Sequence, residues 1–403
     1  MSSVARTPVE QAHVVILNNY VRRHHVLAYK ALERRVGKLT ILLSTEMEPD
    51  RDWEAQWEGL DVRLQKNWTY TTNWRHPSGF EESNFIHFPV DTASQLRKLR
   101  PDIVFSYELG VRTLLCSWFR IFNRKVPLVM VGNMSEEIEN ERGIFRRSLR
   151  SVLKRTVDYC TYNGPSCRRY IERLGFPAGR MFHVPYCFDT DVIWPGDKAF
   201  SRDGVLRLLY CGAISQRKGI MQFVESLRKC CDELSGRKVR LIICGAGPLQ
   251  NQVAAKAGES LEIEFRGNCN SRQLREEYRN ADICAFPTLA DEWGLVPVEA
   301  LASGVPVLGS RHAQSVEVVC DDGVNGWIFS PNDETDCRSA ISRALDSSPD
   351  QLAEMSVAAR LSVAGITPEK SADGFIDVMQ SALSKSRSRS TDYGNTAGSH
   401  TAT

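Results

Sequence analysis

The residues best suited to chemistry lie in the segment 282–307, where Asp291 and Glu299 are separated by seven residues. An apolar stretch at 282–287 predicts a buried strand, and the residues after it predict a helix that begins near Gly294. The first turn of a helix offers backbone N–H groups without partners and the positive end of the helix dipole, which together favour an anion. The amide donors expected at this anion site are those of Gly294, Leu295 and Val296.

Glu299 lies inside the predicted helix. A carboxylate there can accept hydrogen bonds from two hydroxyls of a sugar or a ribose. A phosphate site beside a diol site is what a nucleotide-sugar needs, so the segment predicts a nucleoside-diphosphate sugar as a partner. The alternative interpretation is an ordinary strand, loop and amphipathic helix that carry two unrelated acids.

A second group of candidate residues opens the second half of the chain. A predicted strand at 206–211 runs into Gly212, and Arg217 and Lys218 follow before the next predicted helix. Two cations at this point are expected to face a pyrophosphate, because Arg binds it as a fork and Lys as a point charge. A solvated basic turn is the alternative. The next strand ends at Gly245 and Gly247, where the backbone is expected to approach a ligand closely.

These motifs resemble the signature of the retaining glycosyltransferases of family 4, which have the GT-B fold. The family pattern has two Glu residues separated by seven positions and then Ala, Gly and Pro, as from Glu299 to Pro306 here. Asp291 stands where the family usually has its first Glu, and the adjacent Glu292 is the alternative for that role.

The basic turn resembles the family pattern less completely. Lys218 matches the family's Lys, whereas Ala213 replaces the usual Arg, so Arg217 is the candidate replacement cation. The resemblance implies transfer of a hexose from a nucleoside-diphosphate sugar to a glycan or lipid-linked acceptor with retention of configuration. In this scheme Glu299 holds the ribose and Asp291 the sugar hydroxyls. The leaving phosphate, held by the two cations and the helix amides, takes the acceptor proton.

Neither a metal nor another cofactor is expected. Asp189-Thr-Asp191 spells a metal-binding triplet of another glycosyltransferase fold, but here it lies in a turn-rich linker, so turn chemistry is the favoured interpretation. No group of His, Cys and acidic residues has ligand spacing. Helix dipole and Arg or Lys side chains are expected to neutralise the charge that a divalent ion neutralises elsewhere.

The resemblance also places the opening loop of the first domain and the loop after its fourth strand on the acceptor side. Glu108 follows a predicted strand at 103–107 and is either a polar group near the reacting sugar or a surface acid. A His at a helix start is either a contact to the acceptor or structural. The other candidates are residues of the opening loop and the start of the next helix: Asn18, Asn19, Tyr20 and His24.

Short apolar strands alternate with helical patterns along the whole chain, which predicts parallel sheets covered on both faces. Two such blocks predict an α/β protein of the GT-B class, with two doubly wound, Rossmann-like domains that face a cleft. The expected division is an acceptor-side domain at 1–190, a nucleotide-sugar domain at 191–366, a returning helix at 367–384 and a disordered tail at 385–403.

Net charge, the start of the chain, the cysteines and one basic segment predict the partners and the location of the protein. A net charge of +2 over 403 residues does not favour nucleic acid as a partner, and the start of the chain lacks an apolar signal core, so a cytoplasmic location is expected. The twelve scattered cysteines predict reduced core thiols. The basic amphipathic segment 142–155 predicts either peripheral contact with the inner face of a membrane or a helix packed on the sheet.

Three other functions are alternatives to glycosyl transfer. A dinucleotide dehydrogenase needs Gly-x-Gly-x-x-Gly after the first strand, and the loop at 18–25 contains no glycine. A sugar-nucleotide epimerase of the same fold would bind the donor without needing an acceptor. A non-catalytic nucleotide-sugar-binding protein stays open because Ala213 and Asp291 depart from the family pattern.

Overall fold

The computed structural model describes residues 7–49, 57–139, 142–200, 202–233 and 238–396. Within this part of the chain, two parallel sheets lie in separate halves of the sequence, and apolar clusters fill both faces of each. This is the two-domain GT-B arrangement of doubly wound sheets that the sequence predicts, so the fold class is confirmed.

The first half of the chain contains nine of the described strands. They are β1 (His13–Asn18), β2 (Lys38–Leu43), β3 (Asp61–Leu64), β4 (Asn67–Arg75), β5 (Glu81–Pro89), β6 (Ile103–Tyr107), β7 (Leu128–Val131), β8 (Tyr159–Tyr162) and β9 (Met181–His183). Seven of these strands form one parallel sheet in the order β3-β2-β1-β6-β7-β8-β9. The remaining two, β4 and β5, form an antiparallel hairpin outside that sheet.

The second half contains six described strands in one parallel sheet. They are β10 (Val205–Cys211), β11 (Lys238–Cys244), β12 (Leu261–Gly267), β13 (Ile283–Phe286), β14 (Val307–Ser310) and β15 (Gly326–Phe329). Their order is β12-β11-β10-β13-β14-β15. The order reverses direction between β10 and β13, and ligands of such sheets bind beyond the carboxyl ends of the strands at that point.

Fifteen α-helices connect these strands within the described ranges. They are α1 (Pro8–Gln11), α2 (Arg23–Glu33), α3 (Thr92–Leu99), α4 (Val111–Phe122), α5 (Glu136–Glu139), α6 (Ile144–Leu153), α7 (Pro165–Arg173), α8 (Ile220–Glu233), α9 (Gln250–Ala254), α10 (Ser271–Asn280), α11 (Leu295–Ala302), α12 (Gln314–Val319), α13 (Glu334–Leu345), α14 (Pro349–Val363) and α15 (Pro368–Thr396).

Strand β1 shows why the apolar runs are continuous rather than alternating. Val14 and Ile16 belong to a core cluster on one face of the sheet, and Val15 and Leu17 belong to the cluster on the other face. Because both faces of a central parallel strand are buried, each residue must be apolar. The cysteines serve the same packing: all twelve are free thiols and eleven of them are buried.

The last helix, α15, packs against the first sheet although it follows the second domain in sequence. The ring of Phe375 lies 5.2 Å from that of Phe105 and 6.4 Å from that of Tyr29, measured between centroids. Ser371 donates a hydrogen bond to the carbonyl of Pro185. The C-terminal helix therefore completes the core of the first domain.

Helix α15 also extends further than the sequence suggests. A disordered tail is expected from residue 385, but the helix continues to Thr396. The chain has no Pro after position 368, so no residue of this stretch lacks the backbone donor that a helix requires. The rest of the predicted tail, 397–403, lies outside the described residues.

The basic segment 142–155 uses several of its cations for contacts inside the first domain, and its predicted contact with a membrane stays a prediction. Arg150 is only 1% exposed and pairs with Glu139 at 2.5 Å, and Arg146 contacts the same carboxylate at 3.1 Å. Lys154 donates to the carbonyl of Leu174. Three cations of the segment are thus bound inside the first domain. The two arginines are buried because they pair with the buried carboxylate of Glu139. Among the described residues, no helix combines the length and apolar content that a membrane span requires.

Replacing Phe375 with Ala should destabilise the first domain. Loss of a buried aromatic ring typically lowers the free energy of unfolding by about 3 to 5 kcal/mol, and urea denaturation would measure it. Leu361→Ala is the matched control, since Leu361 is 72% exposed on α14 and its truncation should change stability by less than about 0.5 kcal/mol. Equal stability of the two variants would show that α15 does not complete this core.

Candidate functional site

The carboxyl ends of β10, β11 and β13 converge on one crevice of the second domain. Gly212 follows β10 and donates its N–H to the carbonyl of Cys244 at 2.9 Å. A Cβ on Gly245, which follows β11 with φ 150°, would lie 1.9 Å from the carbonyl oxygen of Gly212. Only glycine fits this approach. The loop continues through Gly247, where a Cβ would lie 2.4 Å from the carbonyl oxygen of Ile214, so the two turns pack closely against each other.

Helix α11 begins at this crevice. Gly294 precedes it with φ 88°, and a Cβ there would lie 2.8 Å from the ring of Phe286. The sequence therefore needs glycine to turn the chain sharply from β13 into the helix. Leu295 and Val296 supply N–H groups that have no partner within a helix. Pro297 follows without an N–H, so the anion-binding donors end there.

Two cations lie beside the start of α11 and are held by carboxylates. The Nζ of Lys218 lies 2.5 Å from Oδ2 of Asp291, and a guanidinium nitrogen of Arg217 lies 3.7 Å from the same oxygen. The Nε of Arg217 also donates to Glu82, on the β4–β5 hairpin of the first domain. The structure thus brings together Arg217 and Lys218, which are predicted for the phosphate end of a donor, and Asp291, which is predicted for its sugar end. Glu82 was not foreseen, because it lies far away in the chain.

Electrostatics within this cluster favours the charged forms of Asp291 and Arg217, which the opposite charges around them stabilise. Burial alone would raise the pKa of Asp291, but Lys218 and Arg217 outweigh that effect and hold its pKa at about 2. Burial lowers the pKa of Lys218, and Asp291 partly offsets this. Burial also opposes the charge of Arg217, yet Asp291 and Glu82 raise its pKa. The cluster therefore holds a guanidinium and an ammonium in fixed positions, each paired with a carboxylate.

Glu299 lies on the same helix, partly buried. The hydroxyl of Tyr278 donates to its Oε2 at 3.0 Å, which leaves the other oxygen available to a ligand. Burial raises the pKa of Glu299 to about 7. Tyr278, on α10, is a supporting residue that the sequence pattern did not reveal.

Glu292 lies next to Asp291 but faces different groups. Burial and the charge of Glu108 raise its pKa to about 7, and Arg22 partly opposes this. Its backbone carbonyl accepts a hydrogen bond from the side chain of Gln314. Asp291 therefore contacts the cations of the second domain, whereas Glu292 is influenced by charges of the first domain.

The acceptor-side candidates of the opening loop are held by hydrogen bonds within the first domain. Asn18 accepts a hydrogen bond from the backbone of Asn19 at 2.8 Å, and Asn19 accepts one from Arg112. The hydroxyl of Tyr20 accepts two hydrogen bonds from Arg22, at 2.6 and 2.9 Å. These hydrogen bonds fix the conformation of the loop. Its residue Arg22 interacts through its charge with Glu292.

His24 lies in the core, which is the structural one of its two predicted roles. The side chain is buried, with its ring 4.1 Å from that of His25 and 4.8 Å from that of Tyr186. Burial and the charge of Arg22 lower the pKa of His25 to about 3, and burial also lowers that of His24. The helix start turns both rings inward, so His24 packs as a neutral core side chain.

Glu108 follows β6 in a strained conformation. Its φ of 61° lies in the left-handed region, and its N–H donates to the carbonyl of Val131 at 2.9 Å. Non-glycine residues held this way cost of the order of 1 to 3 kcal/mol and cluster at functional sites. Its charge acts on Glu292 and Arg112. This geometry favours the functional interpretation of Glu108 over that of a surface acid.

Gln314 joins the two domains behind the crevice. Its side-chain oxygen accepts from the N–H of Cys167 at 2.8 Å, and its nitrogen donates to the side chain of Asn163 at 3.4 Å. An apolar cluster of Phe80, Ile138, Leu289 and Ala290 bridges the same domains. Both contacts link residues far apart in sequence, which is why no local pattern predicted them.

The Asp189-Thr-Asp191 triplet is engaged with Arg23. The guanidinium of Arg23 lies 3.3 Å from Asp189 and 2.9 Å from Asp191. Asp189 also accepts the N–H of Asp191 at 3.0 Å, which is turn chemistry. Within the described ranges, no three His, Cys, Asp or Glu side chains are grouped so that they could hold a metal ion.

Known proteins resemble this chain at two levels. Residues 197–362 match the family model of the group 1 glycosyl transferases. A D-inositol 3-phosphate glycosyltransferase of Nocardia farcinica is 29% identical over 231 residues, which are 54% of this chain and 51% of that protein. A GDP-mannose-dependent alpha-(1-6)-phosphatidylinositol dimannoside mannosyltransferase of Mycobacterium tuberculosis is 32% identical over 162 residues, 38% of this chain and 41% of that protein. The chain thus spans about half or less of the length of these curated relatives.

Solved structures match nearly the whole chain in fold. Anabaena HepE in complex with UDP and glucose has a TM-score of 0.66 with 13% identity, covering 92% of this chain and 100% of that one. The lipopolysaccharide outer core galactosyltransferase WaaB has a TM-score of 0.67 with 12% identity, covering 92% and 99%. Residues 197–362 are thus similar in sequence to the group 1 glycosyl transferases, and nearly the whole chain shares the GT-B fold of these solved structures.

Proposed function

We propose that this protein is a retaining glycosyltransferase that moves a hexose from a nucleoside-diphosphate sugar to a glycan or lipid-linked acceptor. One observation carries the proposal: the cations Arg217 and Lys218 lie against Asp291 in the loop before α11, and α11 itself carries the amides of Leu295 and Val296 and the carboxylate of Glu299. This set suits a diphosphate joined to a ribose. The matches to glycosyltransferases in sequence and fold support the same assignment.

The phosphate end of the donor is assigned to the cation cluster. Lys218 is oriented by Asp291 before any ligand binds, since its Nζ is already 2.5 Å from that carboxylate. A diphosphate that enters beside the first turn of α11 would meet a fixed ammonium, a fixed guanidinium and two free amides. Preorganised donors of this kind stabilise charge that grows during a reaction without reorganising.

The ribose and sugar ends are assigned to two acids. Glu299 has one oxygen occupied by Tyr278 and one available for ribose hydroxyls. Asp291, at the mouth of the crevice, would accept hydrogen bonds from the hydroxyls of the transferred hexose while it balances Lys218. Glu292 and Glu108 then border the acceptor side, together with the Asn18–Tyr20 loop.

The reaction follows from this placement. An acceptor hydroxyl attacks the anomeric carbon as the bond from that carbon to the diphosphate oxygen breaks. The leaving oxygen takes the acceptor proton, and attack from the same side retains the configuration. Arg217 and Lys218 stabilise the leaving diphosphate, so no metal ion is required in this scheme.

A cytoplasmic location, at the inner face of a membrane if the acceptor is lipid-linked, is part of the proposal.

A panel of nucleoside-diphosphate sugars tests the proposal. One donor should raise the unfolding temperature, because a ligand that binds only the folded state stabilises it by mass action. That donor, incubated with glycan and lipid-linked acceptors, should yield a glycosylated product and free nucleoside diphosphate. A new sugar-nucleotide formed without acceptor would identify an epimerase instead, and binding without any turnover would identify a binding protein.

Glu299→Gln should weaken donor binding while the fold survives. Hydrogen bonds from a diol to a charged carboxylate contribute about 1.5 to 3 kcal/mol, which is about tenfold to a hundredfold in affinity. Because the pKa of Glu299 is raised to about 7, the carboxylate is protonated below that pH and donor affinity should rise as pH increases through it. Calorimetry should show this rise in the wild type but not in Glu299→Gln. The surface variant Glu276→Gln is the control, and equal donor affinity in the two variants would refute the ribose role.

Arg217→Ala and Lys218→Ala should each slow transfer by about a hundredfold or more, since each removes a contact to the leaving diphosphate. The measurement is the initial rate with saturating acceptor. Lys229→Ala is the control, because Lys229 pairs with Glu334 on the surface. Full activity of Arg217→Ala would mean that Arg217 does not replace the cation missing at Ala213.

Turnover should persist after metal removal. The charges that neutralise the diphosphate come from Arg217, Lys218 and the start of α11, and the acids of the linker are paired with Arg23. Initial rates measured after treatment with EDTA should stay within about a factor of two of untreated enzyme. An activity that disappears and returns only with magnesium or manganese would require Asp189 and Asp191 to be reconsidered as ligands.

A further inference from the structure

Helix α4 of the first domain is apolar on two sides, and only one side is covered. Cys116 and Phe119 belong to the core beneath the helix. The opposite side presents large apolar residues at helical spacing, with exposed fractions from 47% to 80%: Leu114, Trp118, Ile121 and Phe122. A helix of a water-facing surface normally carries polar residues there. The exposed stripe therefore needs an apolar partner.

The stripe is continuous with neighbouring elements. Helix α4 packs beside both α3 and α6. A shallow cleft between α3 and α4 is bordered by Ala93, Arg97, Trp118 and Phe122. On α6, Val152 is exposed as well. The three helices together form one face, which we name the α3–α4–α6 face.

The charge of this face is of a single sign. Segments 92–101, 109–135 and 142–157 contain three, four and six Lys or Arg residues respectively, and none of them contains an Asp or Glu. The whole protein, by contrast, has a net charge of only +2. Some of these cations form ion pairs inside the domain, as Arg150 does with Glu139, but Arg124 and Arg147 are exposed. The exposed apolar stripe of α4 is thus bordered by exposed basic residues such as Arg124 and Arg147, whereas Arg120, Arg146 and Arg150 pair with Asp158 or Glu139.

We propose that the α3–α4–α6 face docks on the surface of an anionic lipid bilayer. Trp and Phe with a basic border suit the boundary between headgroups and acyl chains, where apolar burial and attraction to anionic lipid act together. A second copy of the chain is a poor occupant, because two faces of the same charge would repel each other. The inference centres the contact on the apolar stripe of α4, with exposed cations of α6 such as Arg147 at its border, and it does not depend on the proposed transfer activity.

Vesicle sedimentation tests the inference with the full-length protein. Wild type should bind vesicles of phosphatidylcholine mixed with phosphatidylglycerol at least about tenfold more tightly than pure phosphatidylcholine. The double variant Trp118→Ser with Phe122→Ser should lose at least about tenfold in binding to the anionic vesicles. The charge variant Arg124→Glu with Arg147→Glu should bind anionic vesicles no better than neutral ones.

A matched double variant on the second domain controls for general loss of surface hydrophobicity. Val357 and Leu361 are 64% and 72% exposed on α14, so Val357→Ser with Leu361→Ser should bind as wild type does. All variants should unfold at the wild-type temperature and bind nucleoside diphosphate normally, which separates this inference from the proposed function.

Three results would overturn the docking inference. The first is wild-type protein that ignores anionic vesicles, and the second is a Trp118→Ser, Phe122→Ser variant that still binds them fully. The third is a wild-type dimer in solution that this variant dissociates, without any vesicle binding. That last result would assign the face to contact between copies of the chain.

Discussion

Buried positive charge at the carboxyl edge of the second sheet is the constraint on which the site depends. Arg217 and Lys218 are 19% and 17% exposed, and an uncompensated cation at such a position costs several kcal/mol. Asp291 and Glu82 supply the compensation, and the low pKa of Asp291 shows how strongly the cations act on it. The cluster is therefore complete and oriented before a ligand enters, and a diphosphate would add to an existing network instead of creating one.

The same interaction connects the two domains. Glu82 belongs to the β4–β5 hairpin, so Arg217 is shared between a donor-side cluster and an element of the first domain. Gln314 and the cluster of Phe80, Ile138, Leu289 and Ala290 bridge the domains close by. The relative position of the domains and the charge of the crevice are thus set by one group of contacts. A change in the relative position of the domains is therefore expected to alter the charge of the crevice, and a change in that charge to alter the domain position.

Local sequence patterns predicted the alternation of strands and helices and the segment from β13 to α11, but not the contact of Tyr278 with Glu299 inside the second domain. Continuous apolar runs marked the parallel strands, and the spacing from Asp291 to Glu299 placed α11 and its acids. Glu82 and Gln314 could not be found in this way, since they reach Arg217 and Cys167 across 135 and 147 positions of the chain. Such pairs depend on how the domains meet.

Amphipathic patterns also failed to show which face of a helix is covered. Segment 142–155 has an exposed-looking basic side, yet Glu139 binds two of its arginines within the domain. Helix α4 looks like a core helix in sequence, yet one side of it is exposed. His24 has the type of a ligand-binding residue, but the start of α2 turns it inward. In each case a distant contact or a neighbouring element determines which side chains are buried, and the local sequence does not show either of them.

The most direct test of the account is an experimental structure of this protein with a nucleoside diphosphate bound. The account predicts phosphate oxygens within hydrogen-bond distance of Lys218, Arg217 and the amides of Leu295 and Val296, with the ribose hydroxyls on Glu299. A nucleotide bound elsewhere, or one whose diphosphate lies away from the start of α11, would contradict it.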